Sequence, residues 1–203
     1  LMNVSQLLDT YWVGRLGSAA LAAVTISITV RWVLNSLANG LGIGGMAVVA
    51  RRIGEKDEAA AQHATAQVIL LGLFVSLVLG AVGLLIARPL LTLLGADAQV
   101  LPLGMSYLRI SFASLFTIVL VFVINSMLRG AGEARLSMAV LFLSTATTVV
   151  LEPVLIFGLD LGVAGSALAY ALGFGAGLLL QLAILLRGRA RIALKLRDLR
   201  PDF

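Results

Sequence analysis

The stretch LSMAVLFLSTATTVVLEPVLIFG, residues 136–158, decides the fold class, because it runs for 23 residues with a single charged side chain, Glu152. The hydrocarbon core of a bilayer is crossed by about 20 apolar residues in a helix. A charge placed near the middle of such a helix costs at least about 2.5 kcal/mol, so residues of this kind face a wet cavity or a partner and mark an ion or substrate path.

The same pattern recurs on both sides of that stretch. Apolar runs occupy residues 1–13, 16–50 (interrupted by Arg31), 59–87 (containing only His63), 110–128 (bracketed by Arg109 and Arg129) and 161–186. Of the 203 residues 60% are hydrophobic and 12% charged, and the mean hydropathy is +1.05. Lipid forbids unpaired backbone groups, and these Leu-, Ala- and Gly-rich runs lack the two-residue alternation of a barrel strand, so the spanning elements are helices. The expected fold is all-α: a polytopic membrane protein with a bundle of six transmembrane helices, the first cut short. Residues 1–188 form the bundle and residues 189–203 a basic cytoplasmic linker.

The cations set the orientation. With the first helix running outward, one side of the membrane collects Arg51, Arg52, Lys56, Arg129, Arg135, Arg187, Arg189, Arg191, Lys195, Arg197 and Arg200, and the other only Arg15, Arg88 and Arg109. The positive-inside rule makes the first side cytoplasmic. It also explains the net charge of +5 without nucleic acid, since a basic juxtamembrane tail suits anionic lipid.

In this topology the first and fifth helices run the same way, and each ends at a glycine. Asp9 precedes Gly14 by five residues and Glu152 precedes Gly158 by six, so both carboxyl groups lie roughly 7 to 9 Å below the outer helix ends. Two acids at one level can share a cavity. Pro153 removes a backbone donor and crowds the carbonyl one turn earlier, near Val149, which makes it the candidate hinge. Polar residues also recur at four-residue spacing, which stacks them on one helix face: Ser144, Thr148 and Glu152; Arg31, Asn35 and Asn39; Ser166 and Tyr170. Ser144, Ser166 and Ser126 read as packing between helices. Arg31, deep in its run, needs water or an acid, and Asp9 or Glu152 is the expected partner.

Several other signals carry no chemistry. Gly40, Gly42 and Gly45 have dinucleotide-fingerprint spacing but sit in a membrane run with no strand before them, so they serve close helix contact or bending. With one histidine, His63, and no cysteine, there is neither a thiolate metal site nor a catalytic dyad. No phosphate-binding loop motif is present, and no serine has a histidine beside it in a membrane helix. The chain reads as no enzyme and needs no cofactor; the only metal considered is a coupling Na+ at Asp9 and Glu152.

Four motifs, in order, resemble the multidrug and toxic compound extrusion (MATE) transporters. Leu8-Asp9-Thr10-Tyr11-Trp12-Val13-Gly14-Arg15-Leu16-Gly17 is similar to their first-helix signature, and Ala50-Arg51-Arg52-Ile53-Gly54 to the loop after their second helix. Arg129-Gly130-Ala131-Gly132 resembles the loop after the fourth. Glu152 to Gly158, followed by Gly162-Val163-Ala164-Gly165, resembles the hairpin of the fifth and sixth. The resemblance covers the whole chain but half of the family's twelve helices, implying an N-terminal lobe whose C-terminal partner lobe lies elsewhere. It implies export of cationic or amphipathic small molecules from the cell through the inner or plasma membrane, in exchange for H+ or Na+. Asp9 matches the family's coupling acid, Glu152 stands where many members have Asp, Thr148 where they have Asn, and Tyr170 where they have Thr. With Arg31 and Asn35 these make the expected coupling and substrate site. Two other readings fit the same helices: a flippase for lipid-linked sugars, which a cationic cavity would favour, and a nontransporting scaffold whose polar stripes are helix glue.

Overall fold

Short turns separate the apolar runs, and glycine stands where the backbone enters the left-handed region, as at Gly17, φ 112°, and Gly132, φ 84°. The computed structural model describes residues 2–187, with side chains from residue 6 onward. Its helices are α1 (Met2–Gly14), α2 (Ser18–Gly54), α3 (Glu58–Leu93), α4 (Val100–Ala113), α5 (Leu115–Gly130), α6 (Ala134–Pro153) and α7 (Gly162–Leu186), with a π-helical stretch, Val154–Gly158, between the last two. No strand occurs among the described residues.

Helices α2, α3, α7 and the continuous span Ala134–Gly158 are each long and apolar enough to cross a membrane, and α4 with α5 makes a fifth span bent by 49°. With α1 they form the all-α, six-helix membrane bundle. Large side chains cover its outside, among them Leu85, 82% exposed, and Leu93, 84% exposed, as lipid allows and water would not. The linker at residues 189–203 and the tail cations Arg189, Arg191, Lys195, Arg197 and Arg200 lie outside the described residues.

One span differs from the sequence expectation. The run 110–128 is part of a longer helical pair that starts at Val100, so Arg109 sits inside α4 instead of bracketing a helix. Asp97 Oδ1 accepts from the amides of Gln99 and Val100 and starts α4. Pro102, Gly104, Ser106 and Arg109 had disguised this first half as interfacial loop. The bend falls at Ser114, whose hydroxyl donates to the Ile110 carbonyl at 2.8 Å, a local bond of the kind that bends helices.

Helix α5 is the axis of the bundle. Most of its side chains are buried, from Leu115 through Leu128, and they pack with Ala38 and Val49 of α2, Ile69 of α3 and Phe174 of α7. Gly42 and Gly45 bring α2 close to α5: a Cβ at Gly42 would lie 2.6 Å from Ser126 Oγ, whereas one at Gly40 or Gly44 would meet nothing. Half of the glycine run is thus a contact surface. On the other side, Gly173 lies against Ser144 and Thr148, and Gly165 against the backbone of Leu155 and Ile156. These contacts clamp α6 and its π continuation to α7 and hold the polar stripe of α6 in place.

Candidate functional site

Asp9 of α1 and Glu152 of α6 both face one cavity of about 530 Å³. Both are buried, Asp9 at 8% exposure and Glu152 at 1%, and both line the same cavity with Thr148 and Ser166. The level inferred from their glycine ends is compatible with this shared cavity. Ser166 of α7 donates to Asp9 Oδ1 at 2.6 Å. The sequence expectation of helix packing for Ser166 needs this refinement: it does join α7 to α1, but through the acid itself.

Helix α6 reaches this point in α-helical register and then loses it. Pro153 is its last residue, and beyond it Leu159 N donates to the Val154 carbonyl, five residues back, and Leu161 N to the Leu155 carbonyl. A proline, which cannot continue the hydrogen-bond ladder, is a physical cause for such a break. Glu152 is thus held at the junction between a regular helix and a π-helical stretch, a combination that recurs at functional sites.

Thr148, Tyr170, Arg31 and Asn35 line the same cavity, so the fold brings together every polar residue expected at the site. Thr148 Oγ1 donates to the Ser144 carbonyl at 2.9 Å, which leaves the oxygen free to accept. Of the partners open to Arg31, an acid is not the one it takes: no carboxylate of a described residue lies within 4.0 Å of it. Among the described residues the ion pairs are Arg51 and Arg52 with Glu55. Arg31 Nη1 instead donates to Tyr107 Oη at 2.7 Å, and its guanidinium lies 4.3 Å from the ring centroid of Tyr170. A planar guanidinium finds a good second choice on tyrosine faces.

Sequence reasoning missed the aromatic wall. Trp32, Phe122 and Phe174 line the cavity with Gln6, Ser36 and Thr145; Phe174 stacks on Tyr170 with centroids 4.5 Å apart. Phe174 follows Tyr170 by four residues, so extending the Ser166 stripe one more turn would have found it. Tyr107 and Phe122 carried no such signal, because each arrives from a helix whose other faces are core.

The cavity therefore holds two carboxyl groups, hydroxyls from Ser166 and Thr148, side-chain amides, one guanidinium and an aromatic wall. Glu152 Oε2 is buried with no hydrogen-bond partner among the described residues. This donor set can hold a proton or a small hard cation between oxygens, and an organic cation against carboxylate and aromatic faces.

Comparison with known proteins gives a consistent picture. The family model described as MatE matches residues 1–154. Multidrug export protein MepA of Staphylococcus aureus (strain MRSA252) is 27% identical over 197 residues, covering 97% of this chain and 44% of its own length. The outward-facing conformation of a multidrug resistance MATE family transporter of the MOP superfamily superposes with a TM-score of 0.93 at 32% identity, over 99% of this chain and 45% of that one. An inward-facing conformation, likewise titled, gives a TM-score of 0.93 at 32% identity over 100% and 46%. The chain thus spans a little under half the length of the proteins it matches.

Proposed function

This chain belongs to the MatE family, whose members are membrane transporters and not enzymes, and we propose that it is the N-terminal lobe of a secondary exporter of cationic or amphipathic small molecules. It is a multi-pass protein of the cell membrane. Transport is driven by exchange with H+ or Na+, and the chemistry resides at Asp9 and Glu152.

The presence of the two acids in one cavity carries this reading. Two carboxyl groups facing one cavity repel when both are ionised, so the pair rests with a proton or a cation between them. A cationic cargo and the coupling ion then compete for the same oxygens. Loading the coupling ion neutralises the pair and releases cargo, and discharging it on the other side restores affinity. Because linkage is reciprocal, cargo weakens ion binding by the same factor. Thr148 and Ser166 supply additional oxygens, Tyr170 and Asn35 shape the wall, and Pro153 with the π stretch is the place where the backbone yields.

Alternating access follows from rocking this lobe against a second one. Outward- and inward-facing relatives match the chain with equal TM-scores, which supports motion of the lobe as a unit. A flippase for lipid-linked sugars is the second reading, favoured by Arg31 standing in the cavity without a carboxylate partner. Two acids against one guanidinium favour cationic cargo instead.

The experiment is transport by the complete protein in proteoliposomes carrying an imposed proton or sodium gradient. Asp9→Asn and Glu152→Gln each lower gradient-driven efflux of an organic cation by about tenfold or more, a coupling of ordinary size. Unchanged gradient-driven efflux in both variants removes the proposal.

A further inference from the structure

We propose a second site, outside the cavity, where Arg88 of α3 and Arg109 of α4 hold the phosphate of an anionic glycerophospholipid. Both side chains are exposed, and both line one surface groove with Leu101, Pro102, Met105 and Ser106.

The register of α3 and α4 sets the two arginines at nearly one level. Gly83 lies against Phe112, and Leu91 lies against Gly104. Each of these pairs of residue numbers adds to the same total, as antiparallel neighbours must, and the same register sets Arg88 opposite residue 107. Arg109 is then only about 3 Å away along the helix axis.

Their depth is that of a headgroup. Arg109 precedes the end of α5 at Gly130 by 21 residues, about 31 Å of helix, against a hydrocarbon thickness near 30 Å. Below the pair, Leu84 and Leu85 of α3 and Phe116 of α5 are exposed, so they offer an apolar bed for acyl chains. Above it, Ser106 and Pro102 are exposed where a polar headgroup would sit.

Charge completes the argument. Arg15, the other cation at this end of the bundle, lies 5.7 Å from the Phe157 ring centroid, whereas no carboxylate of a described residue lies within 4.0 Å of Arg88 or Arg109. Asp97, the nearby acid in sequence, has one oxygen engaged by the start of α4. Two guanidinium groups lining one groove at the membrane boundary offer a phosphate the paired N–H donors that it accepts.

The test is thermal unfolding of the full-length protein in a neutral detergent, titrated with short-chain phosphatidylglycerol, short-chain phosphatidylcholine or inorganic phosphate. Phosphatidylglycerol raises the unfolding midpoint saturably, and the other two do not. Arg88→Gln with Arg109→Gln weakens that response about thirtyfold, at roughly one kilocalorie per arginine. Arg88→Lys with Arg109→Lys, which keeps the charge and the fold but loses the forks, gives a smaller loss. Arg51→Gln with Arg52→Gln, the same charge change at the other end, gives none. An equal loss in the Arg51 and Arg52 variant, an undiminished response in the Arg88 and Arg109 variant, or equal stabilisation by inorganic phosphate overturns the proposal.

Discussion

Helices α3 and α6 are both long, apolar and marked by buried hydroxyls that bond back along their own helix, yet only the polar face of α6 ends in a buried acid. On α3, Thr65 donates to the Ala61 carbonyl at 2.8 Å and Ser76 to the Leu73 carbonyl at 2.8 Å, so each polar group is satisfied within its own helix. The α6 face ends in Glu152, which shares its cavity with an acid on α1 that takes its hydrogen bond from α7. A buried polar group that closes its bond locally is packing. Glu152 instead faces a cavity and keeps an unpartnered oxygen there.

The strongest way to break this contrast is to wedge the cavity side apart. Gly173→Val pushes a branched side chain toward Thr148 and the Ser144 carbonyl, and overpacking of this kind costs about 3 kcal/mol. A lowered unfolding midpoint together with lost transport is expected; wild-type behaviour in both would mean that α6 and α7 are not clamped as described.

Removing one link sharpens the contrast. Ser166→Ala takes a donor from Asp9, and hydrogen bonds to charged groups are worth about 2 kcal/mol. Gradient-driven transport falls while the helical circular dichroism of the protein stays unchanged. Thr65→Val and Ser76→Ala, the matching changes on α3, shift stability by less than about 1 kcal/mol and leave transport alone, since local back-bonding adds little. A transport defect in either α3 variant would erase the distinction.

The smallest effect is expected at the exposed turn between α2 and α3. Hydrogen bonds from Arg51, and then from Arg52, hold the Glu55 carboxyl below the ordinary carboxylate range. A folded-state value lower than the unfolded one stabilises the protein above the unfolded value and loses that contribution as pH falls through the folded one. Glu55→Gln therefore removes a small acid-side slope from the unfolding midpoint, read by melting curves at stepped pH. An unchanged slope would show that these exposed pairs contribute nothing.

The family resemblance read from four motifs holds over the chain, and the polar stripes at four-residue spacing were legible because helical periodicity is a local property. Counting back from Gly14 and Gly158 to Asp9 and Glu152 put both acids at one depth, and that too needed only helix rise. The start of α4 was illegible, because Pro102, Gly104, Ser106 and Arg109 look like loop until Asp97 is seen starting a helix. The partner of Arg31 was illegible for a different reason: choosing between an acid and a tyrosine depends on how α2 and α4 slide past each other.

Hydrophobic run length and intramembrane charge thus settled by themselves that this is a helical membrane protein with two acids to explain, because burial in lipid constrains every residue in the same way. Only the tertiary structure decided that those acids line one cavity, that Ser166 serves Asp9, and that Arg31 lies against Tyr107 and Tyr170. Such contacts depend on the register and rotation of packed helices. Glycine positions such as Gly42, Gly165 and Gly173 set these by permitting close approach, and no single helix carries that information.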